Sequence, residues 1–287
     1  EGARYPMRLQ YVSAATGATW VRRGFQAFAR QPLAFSGLFA AFLFFVFVLT
    51  LVSVIGPLLL LALLPLGSLG FMIATKQSLG GQLPLPRVFF EPLRHGAQRS
   101  RDMLMLGVAY AVASVAIIAL SEWADGGALE ALMDVVADGK ATPEEVAQRL
   151  ADGQLQLGVA MRLGLAGLLS VPFWHAPALV HWGAQGVAQS LFSSTVAMWR
   201  NKGAFVVFSL AWLGVVLSLG VAANLIAALL GQAQLVTLLA MPASLLLSTV
   251  FYTSLYFTFA DCFVDGDEAS PSTPPTDAAP QPPESTP

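Results

Sequence analysis

Charge is scarce in this chain. Of 287 residues only 11% are charged while 56% are hydrophobic, against roughly 25% charged residues in a water-soluble domain. Such a composition cannot cover a globular surface in water, and it points to the bilayer. Cysteine is all but absent. Cys262 stands alone, which excludes a disulfide framework and a paired-thiol redox motif. Histidine is confined to His95, His175 and His181, and their spacing matches no metal site. A bis-histidine haem would need imidazoles on facing helices, and no second span supplies one. The first thirty residues lack the short apolar run and small-residue cleavage site of a secretory signal, so no cleaved export signal is expected.

Long apolar runs, by contrast, are plentiful. About 20 apolar residues cross about 30 Å of hydrocarbon as a helix, and residues 32–54, 57–79, 103–121, 155–182, 204–230 and 235–259 each meet that length. The expected fold is all-α and polytopic, a six-helix bundle with interfacial helices on its cytoplasmic side. Residues 1–31 form its arm, 32–261 the membrane domain and 262–287 the tail. Within the arm, residues 19–30 read as an amphipathic helix with Val21, Phe25 and Phe28 on one face and Arg22, Arg23, Gln26 and Arg30 on the other. Trp20 is expected at the membrane interface beside them. Lys76 sits near enough to the end of its span to extend into the headgroups, and Trp123 falls where aromatic belts form.

The connections differ in sign. Residues 80–102 are basic, with Arg87, Glu91, Arg94, Gln98 and Arg101 on one helical face. Residues 122–154 are acidic and read as a small helical hairpin outside the membrane, one helix over 128–136. The other opens at Thr142-Pro143-Glu144-Glu145, a capping hydroxyl followed by proline and glutamate. The alternating acidic spacing of a calcium loop is missing there. Residues 265–287 are rich in Pro, Ser and Thr and should be disordered. Lys and Arg crowd the arm and alternate connections, so the positive-inside rule places both termini in the cytoplasm and the acidic hairpin outside.

The junctions Ala29-Arg30-Gln31-Pro32-Leu33-Ala34-Phe35 and Trp199-Arg200-Asn201-Lys202-Gly203-Ala204-Phe205 occupy equivalent places. The second span of each successive pair holds a proline, Pro65, Pro172 or Pro242. This layout suggests a threefold hairpin repeat, although helices matched to one bilayer also look alike. The segments Trp20-Val21-Arg22-Arg23-Gly24-Phe25-Gln26-Ala27-Phe28, Gln31-Pro32-Leu33 and Phe173-Trp174-His175-Ala176-Pro177-Ala178-Leu179-Val180 resemble a family of uncharacterised six-span proteobacterial inner-membrane proteins. That family is more distantly similar to membrane domains attached to some glycerophosphodiester phosphodiesterases. The resemblance implies a span layout and the inner membrane. It implies no activity, since this sequence contains no hydrolase domain.

Candidate functional residues follow from rarity. Polar groups inside spans mark sites, which singles out His175, Asn224, Trp174 and His181. His175 and His181 are about 240° apart on one helix, so they share no face unless Pro177 distorts it. His175 should turn into the bundle and bond a carbonyl freed by Pro177 or a hydroxyl on another span. Arg22, Arg23, Arg30, Arg94, Arg99 and Arg101 sit just before spans and are candidate contacts for anionic lipid. No catalytic set, cofactor or metal is indicated. The expected partners are the bilayer and its anionic lipids, with a membrane-protein partner or a second copy as further candidates and no nucleic acid. Two functional classes remain open: a non-catalytic membrane component acting through lipids or proteins, and a carrier of a neutral or lipid-like molecule.

Overall fold

Backbone hydrogen bonding in hydrocarbon must be satisfied within the chain, which restricts an apolar sequence of this kind to helices. The computed structural model describes residues 7–53, 55–94, 96–138, 142–232 and 234–264, and it is all-α apart from one short ladder. The helices are α1 (Thr16–Arg30), α2 (Pro32–Thr50), α3 (Ile55–Leu79), α4 (Ala97–Asp125), α5 (Ala128–Ala137), α6 (Pro143–Leu150), α7 (Gly153–Phe173), α8 (Ala176–His181), α9 (Val187–Arg200), α10 (Lys202–Leu229) and α11 (Gln234–Cys262). Six of the helical segments are long and apolar enough to cross a membrane, α7 and α8 counting together as one. The protein is therefore a multi-pass α-helical membrane protein.

Helix ends run past the apolar segments that mark them in sequence. The third span starts at Ala97 rather than Met103 and carries Arg99 and Arg101 inside its first turns, because a helix continues through polar residues once its hydrogen bonds are made. In the acidic connection α5 and α6 form as a pair, and the Thr142 hydroxyl accepts from the Glu145 N–H at 3.2 Å. In chain order the spans fall into the pairs α2 and α3, α4 and α7, and α10 and α11, with Pro65, Pro172 and Pro242 inside the second helix of each.

The end that carries α1 is basic, and the end that carries α5 and α6 is acidic. The core lies at the basic end. Trp20, Phe35, Phe71, Leu179 and Phe208 are fully buried there, with Tyr252 stacked on Phe71 at 4.9 Å and Trp174 edge-on to Phe205 at 5.9 Å. Two expectations fail here. Trp20 does not sit at the interface: α1 is wedged against α10 and α11, and the Trp20 indole is buried, donating to Asp261 Oδ2 at 2.8 Å. The cause is a stripe of small residues, Gly17, Gly24 and Ala27, which lets backbones meet. A side chain at Gly17 would strike the Ala204 carbonyl, and one at Gly24 would come within 2.7 Å of Ser254 Cβ.

The second failure concerns the start of the tail. Residues 262–264 belong to the ordered domain: β1 (Arg8–Leu9) pairs antiparallel with β2 (Phe263–Val264), and the Gln10 N–H donates to the Cys262 carbonyl at 2.8 Å. Asn201 ties the same corner, accepting from the Val12 N–H at 2.9 Å and donating to the Gln10 carbonyl at 3.1 Å. Residues 265–287, whose composition predicts disorder, lie outside the described residues.

Candidate functional site

The fourth span breaks between α7 and α8, at Trp174 and His175. Proline explains both sides of the break. Pro172, within α7, has no N–H to continue the ladder, and Pro177 falls in the first turn of α8, where a missing N–H costs nothing. The freed backbone is met by a side chain rather than a carbonyl: Ser194 on α9 accepts from the His175 N–H at 3.1 Å and donates to the Val171 carbonyl at 2.9 Å. One serine thus bridges the two helices across the gap.

At the break, Thr258 on α11 is the shared partner. Its hydroxyl donates to the Leu255 carbonyl at 2.8 Å and accepts from Trp174 Nε1 at 3.1 Å. His175 Nε2 lies 3.3 Å from the same oxygen. Because the threonine proton is directed at Leu255, Nε2 is the protonated ring nitrogen, and Nδ1 keeps a lone pair with no partner among the described residues. The imidazole is enclosed by Phe205, Phe259 and Phe263. Phe205 is only three residues past the start of α10, about 5 Å along the axis. His175 therefore lies near the basic end rather than at mid-height.

The other sequence candidates scatter. His181 closes α8, and its carbonyl accepts from Arg99 Nη1 at 3.3 Å. Asn224 on α10 bonds back to the Gly220 carbonyl at 2.8 Å, and its hydrogen bonding stays within that helix. It stands nineteen residues beyond Phe205, about 28 Å away along the helix. Trp174 and His175 thus share a site with Thr258 and Ser194, and Asn224 has no part in it. His95 lies outside the described residues.

The arginines divide in two. Arg23 donates to both Asp261 oxygens at 2.9 Å and lies over the Phe257 ring, and Arg99 holds the α8 terminus. Arg22, Arg30, Arg94 and Arg101 are exposed and have no protein partner among the described residues. Beside Arg94, two 3-10 turns at Pro86–Phe89 and Glu91–Arg94 press Phe89 against Phe42 and Phe71. They close an apolar hollow of about 190 Å³ lined by Phe42, Phe45, Leu63, Leu66, Phe89 and Leu93, among others.

A second cavity, of about 170 Å³, lies at mid-height between α3, α4, α7 and α11. Its lining includes Ser68, Tyr110, Ser170, Trp174 and Tyr252. These groups do not stand out in the sequence because a tyrosine or serine in a span is ordinary, and only the packing brings four hydroxyls to one cavity. Among the described residues, no cluster of three His, Cys, Asp or Glu side chains could hold a metal ion.

No family model matches the sequence, and no solved structure matches the fold. A probable inner membrane protein of Burkholderia thailandensis is 34% identical over 273 residues, covering 94% of this chain and 99% of that protein. The identity is sustained over nearly the whole length of both chains. The chain belongs to the family of that inner membrane protein, and it is itself a multi-pass protein of the inner membrane.

Proposed function

We propose that the protein is a non-catalytic membrane component that gathers anionic phospholipid at its basic end, with that end and both termini facing the cytoplasm. The observation that carries this reading is the set of arginines without a protein partner among the described residues, Arg22, Arg30, Arg94 and Arg101, all on the basic side, where Arg94 directly follows Leu93 of the hollow's wall. Lipid phosphates can meet these guanidinium groups, and the apolar hollow beside Arg94 suits an acyl chain. Each such base contributes about 1 kcal/mol near an anionic surface. Arg23 and Arg99 serve protein groups instead and act as internal controls. A shared span layout with membrane domains attached to glycerophosphodiester phosphodiesterases is part of the same proposal.

The test replaces Arg22, Arg30, Arg94 and Arg101 together by Gln and measures phosphatidylglycerol carried through purification by native mass spectrometry. Loss of bound lipid with unchanged melting supports the reading, and an unchanged lipid complement overturns it. Orientation is tested separately in a Cys262→Ser background. Ala137→Cys should react with an impermeant thiol reagent in intact spheroplasts, and Gln98→Cys should not; the reverse pattern inverts the protein. A carrier of a neutral or lipid-like molecule is the second reading, favoured by the uncharged cavity at mid-height.

A further inference from the structure

The mid-height cavity goes beyond lipid capture at the basic end. We propose that it is a binding site for the head of an uncharged, carbonyl-bearing lipid whose tail remains in the bilayer.

Hydrogen-bonding capacity is the first argument. Ser68 and Ser170 donate their protons to carbonyls of their own helices, Pro65 at 2.9 Å and Gly167 at 2.6 Å, so each presents only lone pairs to the cavity. The phenols of Tyr110 and Tyr252 have no hydrogen-bond partner among the described residues. Their rings are fixed by packing, Tyr252 stacked on Phe71 and Tyr110 edge-on to Phe173 at 5.1 Å. Two O–H donors set in an apolar wall, neither hydrogen-bonded to a described residue, suit a ligand that brings oxygen acceptors. Carbonyl oxygens fill that role without adding charge.

Charge and shape narrow the class. No residue lining the cavity is charged, and it lies beside the midpoints of α3 and α4, where an ion would be unpaired in hydrocarbon. Trp174, Phe173 and Phe251 supply apolar and aromatic walls. At about 170 Å³ the cavity is smaller than the roughly 300–1,000 Å³ of sites that enclose a whole drug-sized ligand. Only a head enters.

Access is the third argument. α7 packs along α4 and onto α9 and does not run along α11, leaving Ser170 only half-buried on that flank. The opening faces hydrocarbon, so the ligand arrives from the membrane. Flat quinone rings and ester-linked diacylglycerols both carry the required carbonyls, and the experiment distinguishes them.

Purified full-length protein in nanodiscs is titrated with decylubiquinone, with dioctanoylglycerol, and with phosphatidylglycerol as the charged control, binding being read by calorimetry. Saturable binding of either neutral probe supports the site, and the better of the two identifies the source. Tyr110→Phe/Tyr252→Phe keeps the rings and removes the donors. It should bind about tenfold more weakly, as expected for the loss of two ordinary hydrogen bonds, while the unliganded protein melts no lower than the wild type. Failure of both neutral probes to bind overturns the proposal. So does equal binding by the double variant, or a lowered melting point without ligand, which would mean that the hydroxyls serve the fold. None of these outcomes bears on phosphatidylglycerol at the basic end, which uses other residues.

Discussion

The two halves of the membrane domain are built from similar apolar residues and pack in opposite ways. At the basic end, helices meet at backbone distance and the largest fully buried side chains gather there. Beyond Trp212 on α10 and before Thr249 on α11, most described side chains are exposed. Hydropathy does not separate the halves, since a lipid tail is as apolar as leucine and gives helices no hydrophobic reason to associate. What separates them is how far close contact and polar bonding extend. Toward the acidic end they are found at the turn where Gly56 abuts the Leu49 carbonyl and along α4 and α7, where Gly158 abuts Asp125 and Arg162 donates to Ser121 at 2.9 Å. Gly17, Gly70 and Gly107 each abut a neighbour so tightly that a side chain there would strike the Ala204 carbonyl, the Phe89 ring or the Ala62 carbonyl. Gly164, Gly167, Gly214 and Gly220, toward the acidic end, meet nothing. The buried bonds of Asp261, Thr258, Ser194 and Asn201 also belong to the basic end. A glycine promotes packing only where a second helix is held against it.

The contrast is most exposed to challenge at α1. Trp20→Ala should lower stability in detergent by about 3–5 kcal/mol, the usual cost of emptying a buried aromatic site, and Asp261 loses one of its donors as well. A loss under about 1 kcal/mol, well below that range, would show that α1 is an adornment rather than part of the core. Gly17→Leu should cost about 1–3 kcal/mol by prying α1 from α10, and proteolysis of the arm should accelerate in parallel. An unchanged cleavage rate would remove the close approach from the account.

At the helix break the expected losses are smaller and their ranking is the informative quantity. Thr258→Val strips the acceptor from the Trp174 indole and the neighbour from His175, and should cost about 1–3 kcal/mol. His175→Leu should cost less, about 1 kcal/mol, because the ring has one long hydrogen bond to lose and an unpaired Nδ1 to discard. The opposite ranking by thermal melting would mean that His175 holds an interaction beyond Thr258. The smallest effect belongs to the acidic-end half. Leu217→Ala on exposed α10 should shift stability by under about 0.5 kcal/mol, and a larger loss would reveal that a second chain covers that face.

Several elements are legible in the amino-acid sequence. The six spans follow from runs of about 20 apolar residues, and the start of α6 from Thr142, Pro143 and Glu145 acting as a cap. The weakness of the fourth span is visible in Pro172 and Pro177. Its resolution is not, because Ser194, which satisfies the broken backbone, lies two helices further on. The histidine draws attention as the rare residue, whereas the threonine that organises the break is one of many. Asn224 misleads for the converse reason: rarity within a span marks a site only when the side chain reaches another helix, and this one bonds back to its own.

Composition within single segments was enough to establish the solvent, the number of crossings and the division into a basic and an acidic end. Packing in three dimensions was needed to make α1 a core helix, to give Arg23 to Asp261 rather than to lipid, and to gather four hydroxyls around one cavity. The reason is physical. In water, a buried face announces itself as an apolar stripe against polar residues. In a bilayer the lipid-facing and core-facing sides of a helix are equally apolar, so the pattern that would reveal packing is absent, and burial is settled by small residues and single hydrogen bonds between segments far apart in the chain.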